Sequence, residues 1–152
     1  MSKHYPKVKA MGLFTSNGRF LGTANRDSVS GEDYLRLIGG HVEFGERSDE
    51  TLRREIMEEI GTSIEQLRLL DIIENIFVYE GTPGHEVIFI YHAKFTDRSF
   101  YERDSITVTD SHHQSKAIWT PAADLIAGRV RLYPVADYAK FLKQVTEQEA
   151  RP

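Results

Sequence analysis

Hydrophobic and polar positions change period several times along the chain, and each change marks an element. Over residues 7–16, Val8, Ala10, Gly12 and Phe14 alternate with Lys9, Met11 and Leu13, and both sets are mostly apolar, which predicts a strand buried on both faces. Ser16-Asn17-Gly18 is a hairpin signal, and residues 19–24 are the returning strand. Residues 25–33 are polar and contain glycine, as expected of a loop bordering a pocket, and residues 34–38 read as a short strand that delivers the chain to Gly39. The period then becomes helical. Leu52, Ile56 and Ile60 recur every four residues, which predicts a helix over residues 49–60, capped by Ser48 or Asp49 and closed by Gly61. Residues 64–79 form an apolar run of one or two strands with a break near Glu74-Asn75, residues 81–84 a turn, and residues 85–95 a strand of strict alternation. No period is sustained over residues 96–115, which predicts a long loop or loose hairpin. A short strand at 117–120 leads to a helical turn at 121–126, with Thr120 as cap and Pro121 at its first position. A last helix, over residues 134–148, carries Val135, Tyr138, Phe141, Leu142 and Val145 on one face. This order predicts an α/β fold with a mixed β-sheet and helices on both sides.

Length, charge and cysteine count narrow the function. A chain of 152 residues suits a single domain over residues 1–152. Its net charge of −4 provides no basic footprint, so nucleic acid is not an expected partner, and a polyanionic ligand must be met by local cations. There are no cysteines, which excludes disulfides, thiolate metal sites and cysteine nucleophiles. No apolar run reaches membrane-spanning length and residues 1–10 lack a secretory core, so a membrane partner is not expected and the expected location is cytoplasmic.

The densest chemical signal is on the helix. Glu55, Glu58 and Glu59 lie three and four residues apart beside its apolar stripe, where like charges destabilise a helix by roughly 0.2–0.5 kcal/mol per pair. A hard divalent cation resolves that conflict, because Mg²⁺ and Mn²⁺ prefer carboxylate and carbonyl oxygens and Mg²⁺ takes substrate phosphates as further ligands. Gly39, Gly40 and Gly45 allow the backbone before the helix to approach such an ion. The alternative is a solvated face neutralised by Arg47, Arg53 and Arg54.

Gly40, Glu46, Arg54, Glu55, Ile56, Glu58, Glu59 and Gly61 reproduce the spacing G-x5-E-x7-R-E-U-x-E-E-x-G-U, where U is a bulky aliphatic residue; only Thr62 departs. This pattern resembles the signature of the Nudix hydrolases. The resemblance implies an α/β/α sandwich and a Mg²⁺- or Mn²⁺-dependent hydrolase that cleaves the pyrophosphate linkage of a nucleoside diphosphate derivative: a nucleotide sugar, dinucleoside polyphosphate or nucleoside triphosphate. It implies metal ligation by Glu55, Glu58, Glu59 and the Gly39 carbonyl, and it assigns Arg54 and Glu46 to bracing the loop and orienting a catalytic carboxylate. The aliphatic residue that Thr62 replaces packs beneath the helix end in that family. A small nucleotide derivative is then the expected partner, and assembly as a homodimer is left open. The alternative, a non-catalytic nucleotide or sugar-phosphate sensor, sits poorly with an intact REIMEEIG, and a prenyl diphosphate isomerase with the absence of cysteine.

Outside the signature, Glu86 joins Arg54, Glu55 and Glu59 as a catalytic candidate and competes with Glu55 for the role of general base, because a carboxylate entering an apolar strand is costly to bury unless paired or coordinating. His85 reads as a turn-edge residue, His92 as a partly exposed strand residue, and His112 and His113 as solvated loop residues. Phe44, Tyr79, Phe100 and Tyr133 are candidate base-stacking residues. Tyr79 lies seventeen residues after Thr62, where diadenosine polyphosphate hydrolases tend to carry a tyrosine.

Overall fold

Every residue from Lys9 to Phe14 is buried, so the first strand is covered on both faces, as its doubly apolar pattern predicts. In the computed structural model, which describes residues 4–149, β1 (Lys7–Leu13) lies between β5 (Ile38–His41), antiparallel, and β7 (Thr82–Phe95), parallel. Adding β6 (Ile64–Tyr79) beside β7 gives a mixed sheet of order β5-β1-β7-β6. A second sheet has the order β10-β4-β3-β9-β8, built from β10 (Leu132–Tyr133), β4 (Asp33–Arg36), β3 (Arg19–Arg26), β9 (His113–Pro121) and β8 (Ser105–Asp110), with β2 (Thr15–Ser16) paired to β3. Two sheets therefore stand where one was expected.

Helices cover the first sheet from both sides. α1 (Ser48–Glu59) buries Leu52 and Ile56 against Ala10, Ile38, Tyr91 and Phe95. On the other side α3 (Tyr138–Glu149) buries Tyr138 and Phe141 against Met11, Ile88 and Ile90. Burying each of these large side chains is worth about 1.5–3 kcal/mol, and together they fix the α/β/α layering. A 3-10 helix (Arg98–Glu102) and the short α2 (Ala122–Ile126) complete the described residues.

Several boundaries move, each for a local reason. The predicted 34–38 strand is divided between the sheets, β4 in one and β5 in the other, with Leu37 at the crossing. Gly39 and Gly40 accordingly lie in β5 rather than in a loop. The predicted break at Glu74-Asn75 is absent; β6 runs through it, and its irregularities fall earlier, between Glu65 and Arg68 and between Leu69 and Asp71. The turn after it is the two-residue Glu80-Gly81, with φ of +52° and +77°, so Thr82, Pro83 and Gly84 join β7. Residues 105–110 and 113–121 form a true hairpin, its inward positions Ile106, Val108 and Ala117 buried. Helix α1 starts at Ser48 with Arg47 in the cap position, because the Ser48 hydroxyl is hydrogen-bonded to Tyr91 Oη at 2.6 Å rather than to its own helix. β9 carries through Thr120 and Pro121, so α2 begins one residue late. α3 begins at Tyr138 because the Asp137 carboxylate accepts the Lys140 N–H at 3.1 Å.

Candidate active site

The segment between β5 and α1 is held by one arginine. Arg54 Nε donates to Glu46 Oε2 at 2.8 Å and its Nη2 to Glu46 Oε1 at 3.0 Å, a two-pronged bond. The same guanidinium reaches the His41 carbonyl at 3.1 Å, Glu55 at 3.0 Å and Glu58 at 3.2 Å. Glu46 also accepts from Thr51 Oγ1 at 2.6 Å and from the Glu43 N–H at 3.3 Å. These donors, Arg54 first and Thr51 next, hold its carboxyl down to about 2. Glu46 and Arg54 thus tie the loop to the helix it precedes.

Two glycines of β5 have separate steric reasons to be glycine. A Cβ on Gly39 would fall 2.0 Å from the Ala10 carbonyl oxygen, so this position lets β5 close onto β1. A Cβ on Gly40 would fall 2.3 Å from the Glu55 carboxyl carbon, so that position makes room for the acidic side chain. Thr62, the one departure from the signature, is buried at the helix end as the aliphatic residue would be.

Glu55 and Glu59 experience the electrostatic conflict anticipated from their spacing. Burial raises the Glu55 carboxyl, with Glu58 and Asp110 adding to the effect and Arg54 opposing it. Glu59 is pushed up to about 8, first by burial and then by the charges of Glu55 and Asp110; Arg36 acts in the opposite direction. Arg54 pairs with Glu55 and Glu58 but not with Glu59. Asp110, at the tip of the β8–β9 hairpin, is a carboxylate that sequence reasoning missed. Its strand packs across α1, a long-range relation with no local mark.

A cavity of about 490 Å³ is lined by both sheets and by the segment around Tyr133. Its aromatic wall is Tyr34 with Tyr79 and Tyr133, whose ring centroids lie 6.5 and 5.1 Å from that of Tyr34 in edge-on contact. Burial, then Tyr79, raises the Tyr34 hydroxyl to about 12. Asn25, Asn75 and Arg36 add polar lining.

The structure disperses the candidates from the rest of the chain. Tyr79 and Tyr133 line the cavity, whereas Phe44 stands fully in solvent on the loop before α1. Phe100 is a core residue, its ring 5.4 Å from that of Phe95, and is unavailable for stacking on a ligand. Glu86 is buried on the cavity wall, with its carboxylate against the Lys9 ammonium. His92, expected to be partly exposed, is buried against Thr15 Oγ1 at 3.1 Å, and burial holds it neutral at a pKa of about 4. His85 lies within β7, and His112 and His113 are exposed at the hairpin tip.

Among the described residues, no three carboxylates or histidines already converge as cation ligands. Arg54 draws Glu55 and Glu58 toward itself. The donor set nonetheless fits a hard divalent ion: it consists of oxygens alone, and Glu59 is a half-buried carboxylate with no counter-ion in salt-bridge contact among the described residues, disfavoured in its charged form until a cation joins it.

The NUDIX domain family model matches residues 3–145. A MutT NUDIX hydrolase from Burkholderia pseudomallei is 26% identical over 80% of this chain and 88% of its own, with a TM-score of 0.61. A NUDIX hydrolase from Nitrosomonas europaea is 18% identical over 86% of this chain and 82% of its own, at 0.59. A UDP-X diphosphatase is 17% identical over 98% of this chain and 66% of its own, at 0.64. The latter two likenesses speak to the fold. Family, fold and signature agree, and divalent-metal dependence is general among these hydrolases: the chain belongs to the Nudix family, as a pyrophosphohydrolase of that type.

Proposed function

We propose that this protein hydrolyses the pyrophosphate linkage of a nucleoside diphosphate derivative, with Mg²⁺ or Mn²⁺ as cofactor. The observation that carries the reading is Glu59, a half-buried carboxylate with no counter-ion in salt-bridge contact among the described residues and crowded by Glu55 and Asp110. Glu55, Glu58 and Glu59, with the Gly39 carbonyl, would hold the metal, which when bound neutralises phosphate charge and acidifies water. Arg54 fixes the rotamers of Glu55 and Glu58 through the 3.0 and 3.2 Å contacts, while Glu46 fixes Arg54. The nucleoside occupies the cavity against Tyr34, Tyr79 and Tyr133.

The attacking water must lose a proton to a carboxylate within hydrogen-bond reach. Glu86 is neutralised by Lys9 inside the cavity, so it serves the pocket wall. Asp110 is exposed, carries no ion pair among the described residues and bears on both Glu55 and Glu59; it is the proton acceptor in this reading. The test is a hydrolysis panel of nucleotide sugars, dinucleoside polyphosphates and nucleoside triphosphates in Mg²⁺, in Mn²⁺ and in EDTA. Turnover is expected with metal only and is expected to be lost in Glu59→Gln. Undiminished turnover by Glu59→Gln would refute the metal assignment.

A further inference from the structure

This inference deepens the reading above and rests on the cavity receiving the nucleoside end of the substrate. In β4 the alternation of side chains sends Leu35 into the core and leaves Tyr34 and Arg36 on the cavity side. Tyr34 has its aromatic neighbours, but the half-buried guanidinium of Arg36 has no carboxylate in salt-bridge contact and no hydrogen-bond acceptor among the described residues. That is unusual for an arginine withdrawn from water, and Arg54, with four glutamates around it, is the contrast within this chain. Nor does Lys9 supply a free cation nearby, since its ammonium is closed against Glu86.

The position of Arg36 tells what its missing partner is. On one flank Leu37 and Ile38 carry the chain from Arg36 directly to Gly39 and Gly40 beside Glu55, and on the other Arg36 shares the cavity lining with Tyr34, Tyr79 and Tyr133. It therefore stands between the carboxylates that await a cation and the tyrosines that await a base. Whatever joins those two regions passes this guanidinium. We infer that Arg36 is a substrate-positioning residue that clamps the phosphate attached to the nucleoside, its forked N–H groups meeting two non-bridging oxygens while the tyrosine cavity holds the nucleoside. A guanidinium does this better than an ammonium because its fork matches the oxygen pair.

The test separates binding from turnover. The full-length protein, Arg36→Ala and Arg36→Lys are titrated calorimetrically with ADP, GDP, CDP and UDP, in EDTA and again in Ca²⁺, with thermal melting to confirm folding. Kinetics follow on any panel compound that the parent hydrolyses. Affinity for the best-bound diphosphate is expected to fall about 10- to 100-fold in Arg36→Ala and less in Arg36→Lys. KM is expected to rise in parallel while kcat stays within a few-fold. Binding by Arg36→Ala as tight as the parent's overturns the inference, as does a fall in kcat with binding intact, or a parent that binds none of the four nucleotides in either condition. Arg36-dependent binding by a parent that hydrolyses nothing in the panel upholds the inference and sinks the hydrolase reading alone.

Discussion

Gly40→Ala isolates the position of one carboxylate from the stability of the fold. The new methyl would lie 2.3 Å from Glu55 Cδ and Oε1 and 2.7 Å from Oε2, so that side chain must retreat by about 1 Å to reach ordinary contact. The obstacle is the far end of a flexible side chain, which can swing. Gly40 is not among the glycines with positive φ, so an alanine there carries no backbone strain. The fold should therefore survive, with a melting temperature within a few degrees of the parent. The chemistry should not: a displacement of about 1 Å at a catalytic group costs on the order of 100-fold, and the 3.0 Å bond from Arg54 to Glu55 is lost with it. Gly39→Ala is the control, because its methyl meets backbone at 2.0 and 2.7 Å and can be relieved only by parting β5 from β1. Overpacking of that kind costs about 1–3 kcal/mol or more, read as a drop in melting temperature of roughly 5 °C or more. The assay is kcat in Mg²⁺ on the best substrate of the hydrolysis panel, beside a thermal melt. A Gly40→Ala protein that folds normally and keeps kcat within three-fold of the parent refutes the idea that the placement of Glu55 governs the reaction.

Three further outcomes follow from the site. Asp110→Asn should lower kcat by about 100-fold or more with little change in melting temperature, whereas Glu86→Gln should act mainly on KM and stability by stranding Lys9; the reverse ranking would restore Glu86 as base. In metal-free protein, the raised Glu59 carboxyl means that the folded state holds its proton longer than the unfolded chain. Its stabilising effect is complete below about pH 4.5 and lost as pH rises through about 8. Between pH 6.5 and pH 8 stability should fall by about 1 kcal/mol after allowance for partial exposure and for the last of the His92 titration in the unfolded chain; Mg²⁺ or Glu59→Gln should flatten that slope in pH-resolved melts, and an unchanged slope in the variant would contradict the assignment. Glu46, held low by Arg54, stabilises above pH 4.5 and loses that effect as pH falls through about 2; Arg54→Gln should shift acid unfolding, followed by circular dichroism, to higher pH.

What the sequence shows of this site follows from how local each feature is. Glu55, Glu58 and Glu59 lie within five residues, and their brace to Glu46 spans eight, so spacing alone carries the helix, its charge conflict and its clamp. The cavity is assembled from β1, β3, β4, β6, β7 and the segment around Tyr133, and no window of sequence contains it. Tyr34 and Arg36 were legible in principle, since Tyr34-Leu35-Arg36 alternates, but the sheet crossing at Leu37 hides which side they face. Ile106 and Val108 likewise carried a two-residue period, too short to stand out among TDRSFYERD and SHHQ. Thr62 reads as a departure that puts local packing in doubt; it is buried at the helix end all the same, because its hydroxyl donates to the Ser63 carbonyl at 3.2 Å.

The two carboxylates outside the helix, Glu86 and Asp110, differ in how visible each is in the sequence. An acid among apolar residues draws attention, because burying it alone is expensive, and Glu86 met that description. The same expense has a second solution, a buried counter-ion, and the parallel pairing of β1 with β7 provides it by setting Lys7 opposite Glu86 and Lys9 one pleat further along the same face. A carboxylate already paired in this way is a poor ligand for a further cation. Asp110 has the opposite setting, exposed among Thr109, Ser111 and His112, where an acid costs nothing and attracts no notice. Only the packing of β8 on α1 brings it beside Glu55 and Glu59. A group that must exchange protons with water and share charge with a metal has to stay accessible and uncompensated, and that requirement is why the proposed reading gives the role to the hairpin-tip acid.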